Sequence, residues 1–226
     1  MGNELGDLFY PDNPTRRRRV IQLSQKLYDY IKANFRATNR LTEFLNKHVR
    51  GANFNPISVN EEETVRFNCD VLTQRIVEVQ AFIEKVDKLL ADKLDPALYR
   101  QLSDVDLSFE KRVQTANNAL YIVTGLVVTA ASVAVCVAIA SGGILVPVVA
   151  AIGAVATSAI STIAITLIGG FVLGAIFQAI TGAVERDKLE HAIKDLESAC
   201  DRFIPASERY NEKIYEVLAE LNIHES

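Results

Sequence analysis

Seventy-two consecutive residues, 113–184, contain no Asp, Glu, Lys or Arg. All 52 charges of the 226-residue chain therefore fall in two arms, ending at Arg112 and resuming at Glu185. An ordinary soluble enzyme domain is not the starting expectation for such a partition. As one helix the stretch would reach roughly 108 Å, against about 30 Å of bilayer hydrocarbon, so one straight crossing would leave most of it unused. Ser141, Gly142, Gly143 and Pro147 mark a turn, assigned to Gly142, Gly143 and Pro147, and Gly169-Gly170 a second. The first two segments, about 116–140 and 147–168, are long enough to span; the third, 171–184, is short. Small residues fill 35 of the 72 positions, so a stripe of them has a chance origin as well as a functional one. The functional reading is close helix packing in lipid through Ala150, Ala154, Ser158, Thr162, Thr166, Gly170 and Gly174.

Both arms have helical apolar spacing, which excludes general disorder. Asn13 caps a first helix and Pro14 sits at its first position. Its stripe reads Val20, Leu23, Leu27, Ile31, Asn34, Thr38, Leu41, Leu45, His48 and ends at Gly51, with Asn34 and Thr38 as polar register positions. Asn60 followed by three glutamates starts a second helix, whose heptad seam is Val65, Cys69, Leu72, Ile76, Val79, Ile83, Val86, Leu90. Asp95-Pro96 stops that helix and starts a third, whose seam Leu98, Leu102, Val105, Phe109, Val113 runs into the apolar block. The last arm repeats the pattern at Leu189, Ile193, Leu196, Cys200, Phe203, Ser207, Tyr210, Ile214, Val217 and Leu221, with Pro205 expected to kink or split it.

Charge suggests how the helices pair. Residues 14–50 carry ten Lys/Arg against two Asp/Glu, residues 60–94 five against eight, and residues 185–226 six against eleven. One basic helix and two acidic ones suit a single bundle with complementary flanks. Exposed pairs contribute only about 0–1 kcal/mol each, so charge selects partners while seam burial stabilises. Arms that pack together share one side of any membrane, so the apolar block crosses an even number of times or dips and returns.

The expected architecture is all-α: a long antiparallel coiled-coil-like helical bundle with an apolar, membrane-competent helical hairpin. Residues 1–113 form an N-terminal charged arm of three helices, about 14–50, 60–94 and 96 onward. Residues 114–184 form the hairpin, and 185–226 an acidic helix packing on the first arm. A wholly soluble arrangement competes, in which 96–130 joins the bundle and only a tongue near 131–184 needs lipid or shelter.

No phosphate loop, nucleophile elbow or carboxylate pair is visible, and His48, His191 and His224 lack metal-ligand spacing. The expectation is no catalytic residue, cofactor or metal. Cys69, Cys136 and Cys200 read as small buried hydrophobes, too few and scattered for a disulfide framework. Arg16, Arg17, Arg18 and Arg19 either contact anionic lipid or pair with acidic neighbours. With no secretory-type apolar segment at the start, the arms are expected to face the cytosol at a membrane of unspecified organelle.

Several segments resemble a known family. Leu8-Phe9-Tyr10-Pro11-Asp12-Asn13-Pro14, Leu41-Thr42-Glu43-Phe44-Leu45-Asn46, Asn68-Cys69-Asp70 and the run from Asp92 to Leu102 are similar to the vertebrate single-pass membrane and coiled-coil domain-containing protein 3 family. So are Gly182-Ala183-Val184-Glu185 and Ala206-Ser207-Glu208-Arg209-Tyr210-Asn211. The match runs in order over most of the chain and is loosest within 116–181. The resemblance implies one crossing plus coiled coils and no reaction, whereas the charge pairing implies an even number.

Three functions fit: a non-enzymatic membrane-anchored adaptor or scaffold, a pore-forming-type protein with a concealed hydrophobic hairpin, or a soluble bundle whose apolar helices form a core or oligomer interface. The expected partners are a lipid bilayer and a second copy or coiled-coil protein. No nucleic acid and no small-molecule substrate are expected.

Overall fold

The computed structural model describes residues 12–123, 130–142, 149–153 and 186–224. Among these the regular elements are all α-helices: α1 Asn13–His48, α2 Val65–Lys93, α3 Pro96–Ser103, α4 Phe109–Val123, α5 Ala130–Gly142 and α6 Arg186–His224. The chain divides into two compact units, one of residues 1–35, 58–73 and 148–208, the other of 36–57, 74–147 and 209–226.

In the first unit, Val20, Leu23, Leu27 and Ile31 of α1 are buried, as are Val65, Cys69 and Leu72 of α2 and Leu189, Leu196, Cys200, Phe203 and Ser207 of α6. In the second, the same stripes continue through Thr38, Leu41, Leu45 and His48, through Ile76 to Leu90, and through Tyr210 and Ile214. The 3.5-residue period read from the sequence is therefore the buried face of each long helix.

The direction of the helices differs from the expected antiparallel packing. Partners of α1 and α6 ascend together: Arg16 with Glu190, Arg19 with Glu197 and Asn34 with Ser207 in the first unit, Thr38 with Tyr210 in the second. These two helices run parallel. So do α1 and α2, because the chain between them is not a short turn. In the second unit the Asn46 side chain donates to Phe54 O at 2.8 Å and accepts from Phe54 N at 2.9 Å. Asn39 does the same with Ile57 at 2.7 and 2.9 Å. Seven helical residues and three extended ones both cover about 10 Å, so the segment runs straight back along α1. On its other side Arg75 donates to Asn55 O, and Phe82 meets Phe54 edge-on at 5.6 Å. Residue numbers of α1 and α2 thus both fall as those of the strap rise.

Three smaller expectations are also corrected. Helix α2 starts at Val65, because Thr64 Oγ1 accepts the Phe67 N–H at 3.1 Å and so provides the cap. Asn60 instead belongs to the strap, clamped at its N–H and C=O by the Asn68 side chain. Pro205 does not split α6. Pro205 and Asp201 are both exposed, so water can serve the carbonyl that loses its bond. Asp95 caps α3 as expected, accepting from Ala97 N at 2.8 Å, but the third helix is not continuous. It breaks at 104–108, which leaves Val105 62% exposed while Leu102 and Val113 are buried.

Candidate functional site

Two features organise the chain around the uncharged stretch: the zipper that joins the charged helices α1 and α6, and the burial of α5.

In the first unit the zipper begins with ion pairs. Arg16 Nη2 lies 2.8 Å from Glu190 Oε1, with Asp12 at 3.9 Å, and Arg19 Nη2 lies 2.7 Å from Glu197 Oε1. Arg18 is exposed and its Nε donates to Pro14 O at 3.3 Å, while Arg17 is half-buried. Deeper in the same unit, Ser207 Oγ donates to Asn34 Oδ1 at 2.7 Å, with both residues fully buried. In the second unit the hydroxyls of Thr38 and Tyr210 meet at 2.8 Å, again buried, and the Arg40 guanidinium stands 5.4 Å from the centre of the Tyr215 ring. Burial raises the Tyr210 phenol far above its usual range, against a smaller lowering by Thr38. Buried hydroxyl and amide pairs favour one register because a slip breaks these bonds in a medium where water does not replace them.

Helix α5 comes from the uncharged stretch and lies within the second unit. Each residue from Ser132 to Val137 is fully buried, and Ile139 nearly so. Six successive helical residues point in every direction around the axis, so protein covers α5 on all sides. Helices α3 and α4 pack against it and against each other. At 13 residues it is about 20 Å long, short of the roughly 30 Å that a spanning helix must cover. No helix among the described residues is long and apolar enough to cross a membrane.

A carboxylate lies close to this apolar helix. Tyr99 of α3 donates to Asp87 of α2 at 2.9 Å. Desolvation raises the Asp87 acid and Tyr99 partly opposes it; the Tyr99 phenol is itself pushed up to about 12, mainly by burial. The Cys136 thiol of α5 is completely buried, within electrostatic reach of Asp87. Cys69 rises to about 12 and Cys200 also rises, both chiefly through burial. These two free thiols stay protonated and are poor nucleophiles at neutral pH. Among the described residues no group of three His, Cys, Asp or Glu could hold a metal ion.

Of the residues assigned to the hairpin turn, Gly142 ends α5, whereas Gly143 and Pro147 lie outside the described residues. Of the small-residue stripe, Ala150 is helical and exposed; Ala154, Ser158, Thr162, Thr166, Gly170 and Gly174 lie outside the described residues. Sequence reasoning placed Asn34, Thr38, Ser207 and Tyr210 in the seams but did not pair them. It missed Asn39, Asn46 and the Asp87–Tyr99 bond. The heptad interval between the two asparagines, beside a Pro-containing connection, was the available signal.

No solved structure matches the chain. The family model described as "Protein of unknown function (DUF4533)" matches residues 16–168, about two thirds of the chain, and the chain belongs to that family.

Proposed function

We propose that this is a non-enzymatic, membrane-engaging helical scaffold whose charged arms share a single aqueous compartment. The uncharged stretch 113–184 joins the two arms; its α5 packs with α3 and α4 in the second unit, and its remainder is the part read as engaging lipid. The observation that carries this reading is the side-by-side pairing of α1 and α6, one helix from each side of the stretch. Separating them across a bilayer would break the buried Asn34–Ser207 and Thr38–Tyr210 bonds. An even number of crossings, or a dip and return, follows from that pairing; the single crossing implied by the family resemblance does not. In flotation with lipid vesicles the protein is expected to rise with the lipid and to resist carbonate extraction. A monodisperse protein that never floats would favour the soluble bundle instead.

The enclosure of α5 favours a second, compatible reading, in which engagement is conditional and the apolar helix is sheltered until then. Dye release from loaded vesicles tests it. Release that begins only after a lag or a trigger supports shelter followed by insertion, and no release under any trigger contradicts it.

A further inference from the structure

We propose that residues 104–108 are a conformational joint, bent in this structure and able to straighten into one helix over 96–123, which would open the enclosure of α5. The inference rests on the reading of α5 as a sheltered apolar helix.

The sequence marks this break only with weak signals, the turn- and cap-forming Asp104, Asp106 and Ser108. From Ala97 to Val123 there is no Gly or Pro. The apolar positions Leu98, Leu102, Val105, Phe109, Val113 and Ala116 keep three- and four-residue steps straight through the gap. The bend interrupts that stripe. Leu102 and Ala116 are fully buried and Val113 nearly so, yet Val105 between them is among the most exposed large hydrophobic residues described. The backbone is close to the alternative conformation. Asp104 has φ −66° and ψ 111°, so its φ is already helical and only ψ departs.

Polar ties around Asp104 hold the bend. Its Oδ1 accepts the Asp106 N–H at 3.0 Å, and its carbonyl accepts from Leu107 N at 3.3 Å and from the Arg112 guanidinium. Arg112 is 5% exposed, and desolvation lowers its basicity despite the Asp104 charge. A buried cation held chiefly by one carbonyl is a costly fastening that straightening would release.

The geometry links the joint to α5. In the bent form α3 and α4 pack against each other and both pack against α5. Segments of one straight helix separated by five residues cannot touch in that way, because the gap alone spans about 9 Å. Straightening therefore parts α3 from α4, and α5 loses at least one of the two helices packed on it. The Cys136 thiol, fully buried in the bent form, reports that step.

The test uses the full chain and its native thiols, with maleimide labelling mapped by mass spectrometry. Asp104→Ala/Asp106→Ala removes the turn ties and favours helix. In buffer, Cys136 labelling is expected to quicken by about tenfold, the shift expected from two Asp-to-Ala gains in helix propensity. Cys69 and Cys200 should not change, and the amides of 105–108 should gain protection from hydrogen exchange. An unchanged Cys136 rate in the folded variant overturns the joint. If all three thiols quicken together the variant has unfolded, and the converse variant decides. Val105→Pro locks Asp104 into the extended ψ it already has. On phosphatidylcholine vesicles containing phosphatidylserine, Val105→Pro is expected to suppress the Cys136 exposure that the wild type gains; equal exposure in both overturns the joint. A wild type that ignores the vesicles while the buffer arm succeeds would refute membrane engagement and leave the joint standing.

Discussion

Tyr210 is the residue at which the fold is most exposed to a single atom. Its hydroxyl meets Thr38 inside the second unit with no exposure of either side chain beyond 1%. Tyr210→Phe leaves the Thr38 hydroxyl without that bond, and a loss of about 1–2 kcal/mol is expected in urea denaturation. The pH dependence has a definite sign. The folded-state phenol lies above its unfolded value, so its contribution is complete below pH about 10 and is lost as pH rises beyond it. Wild-type stability should fall more steeply than that of Tyr210→Phe above pH about 10; parallel curves would contradict the buried bond. Asn39 and Asn46 offer a second comparison at this scale. The Asn39 bonds are partly buried and those of Asn46 exposed. Asn39→Ala should cost about 1–2 kcal/mol and Asn46→Ala less than about 1 kcal/mol, measured by chemical denaturation. The reverse order would mean that the strap is not held as described.

At the scale of elements, the seams were the most legible part of the sequence. Nearly every position read from the 3.5-residue period in α1 and α2 is buried, because one apolar stripe per helix dictates which face turns inward whatever the topology. Direction was not legible. A stripe has the same period read up or down, and the strap that makes α1 and α2 parallel is fastened by side-chain amides, which leave no periodic trace. The break at 104–108 was hidden for a related reason: Asp104 and Asp106 are weak breakers, and the stripe continues through them. In α6 the sequence misled in the other direction, since Pro205 lies inside a helix that stays whole. The missing amide bond should still cost energy. Pro205→Ala is expected to stabilise the protein by about 1–3 kcal/mol, seen as a raised Tm, and a lowered Tm would show that the proline is packed for a purpose.

Across the whole molecule, two charged arms flank an uncharged stretch about one third of the chain's length. Part of that stretch, α5, is buried and packed by α3 and α4, which is why hydropathy along the sequence did not distinguish a core helix from a membrane helix. The two ends of the chain are set by a different constraint, the parallel pairing of α1 with α6. The central claim is that these helices share one aqueous compartment. The most direct measurement is protease accessibility of tags at both termini, made on full-length protein in sealed vesicles. The account predicts that both tags are cleaved together or protected together. One tag cleaved while the other survives until the vesicles are opened would contradict it.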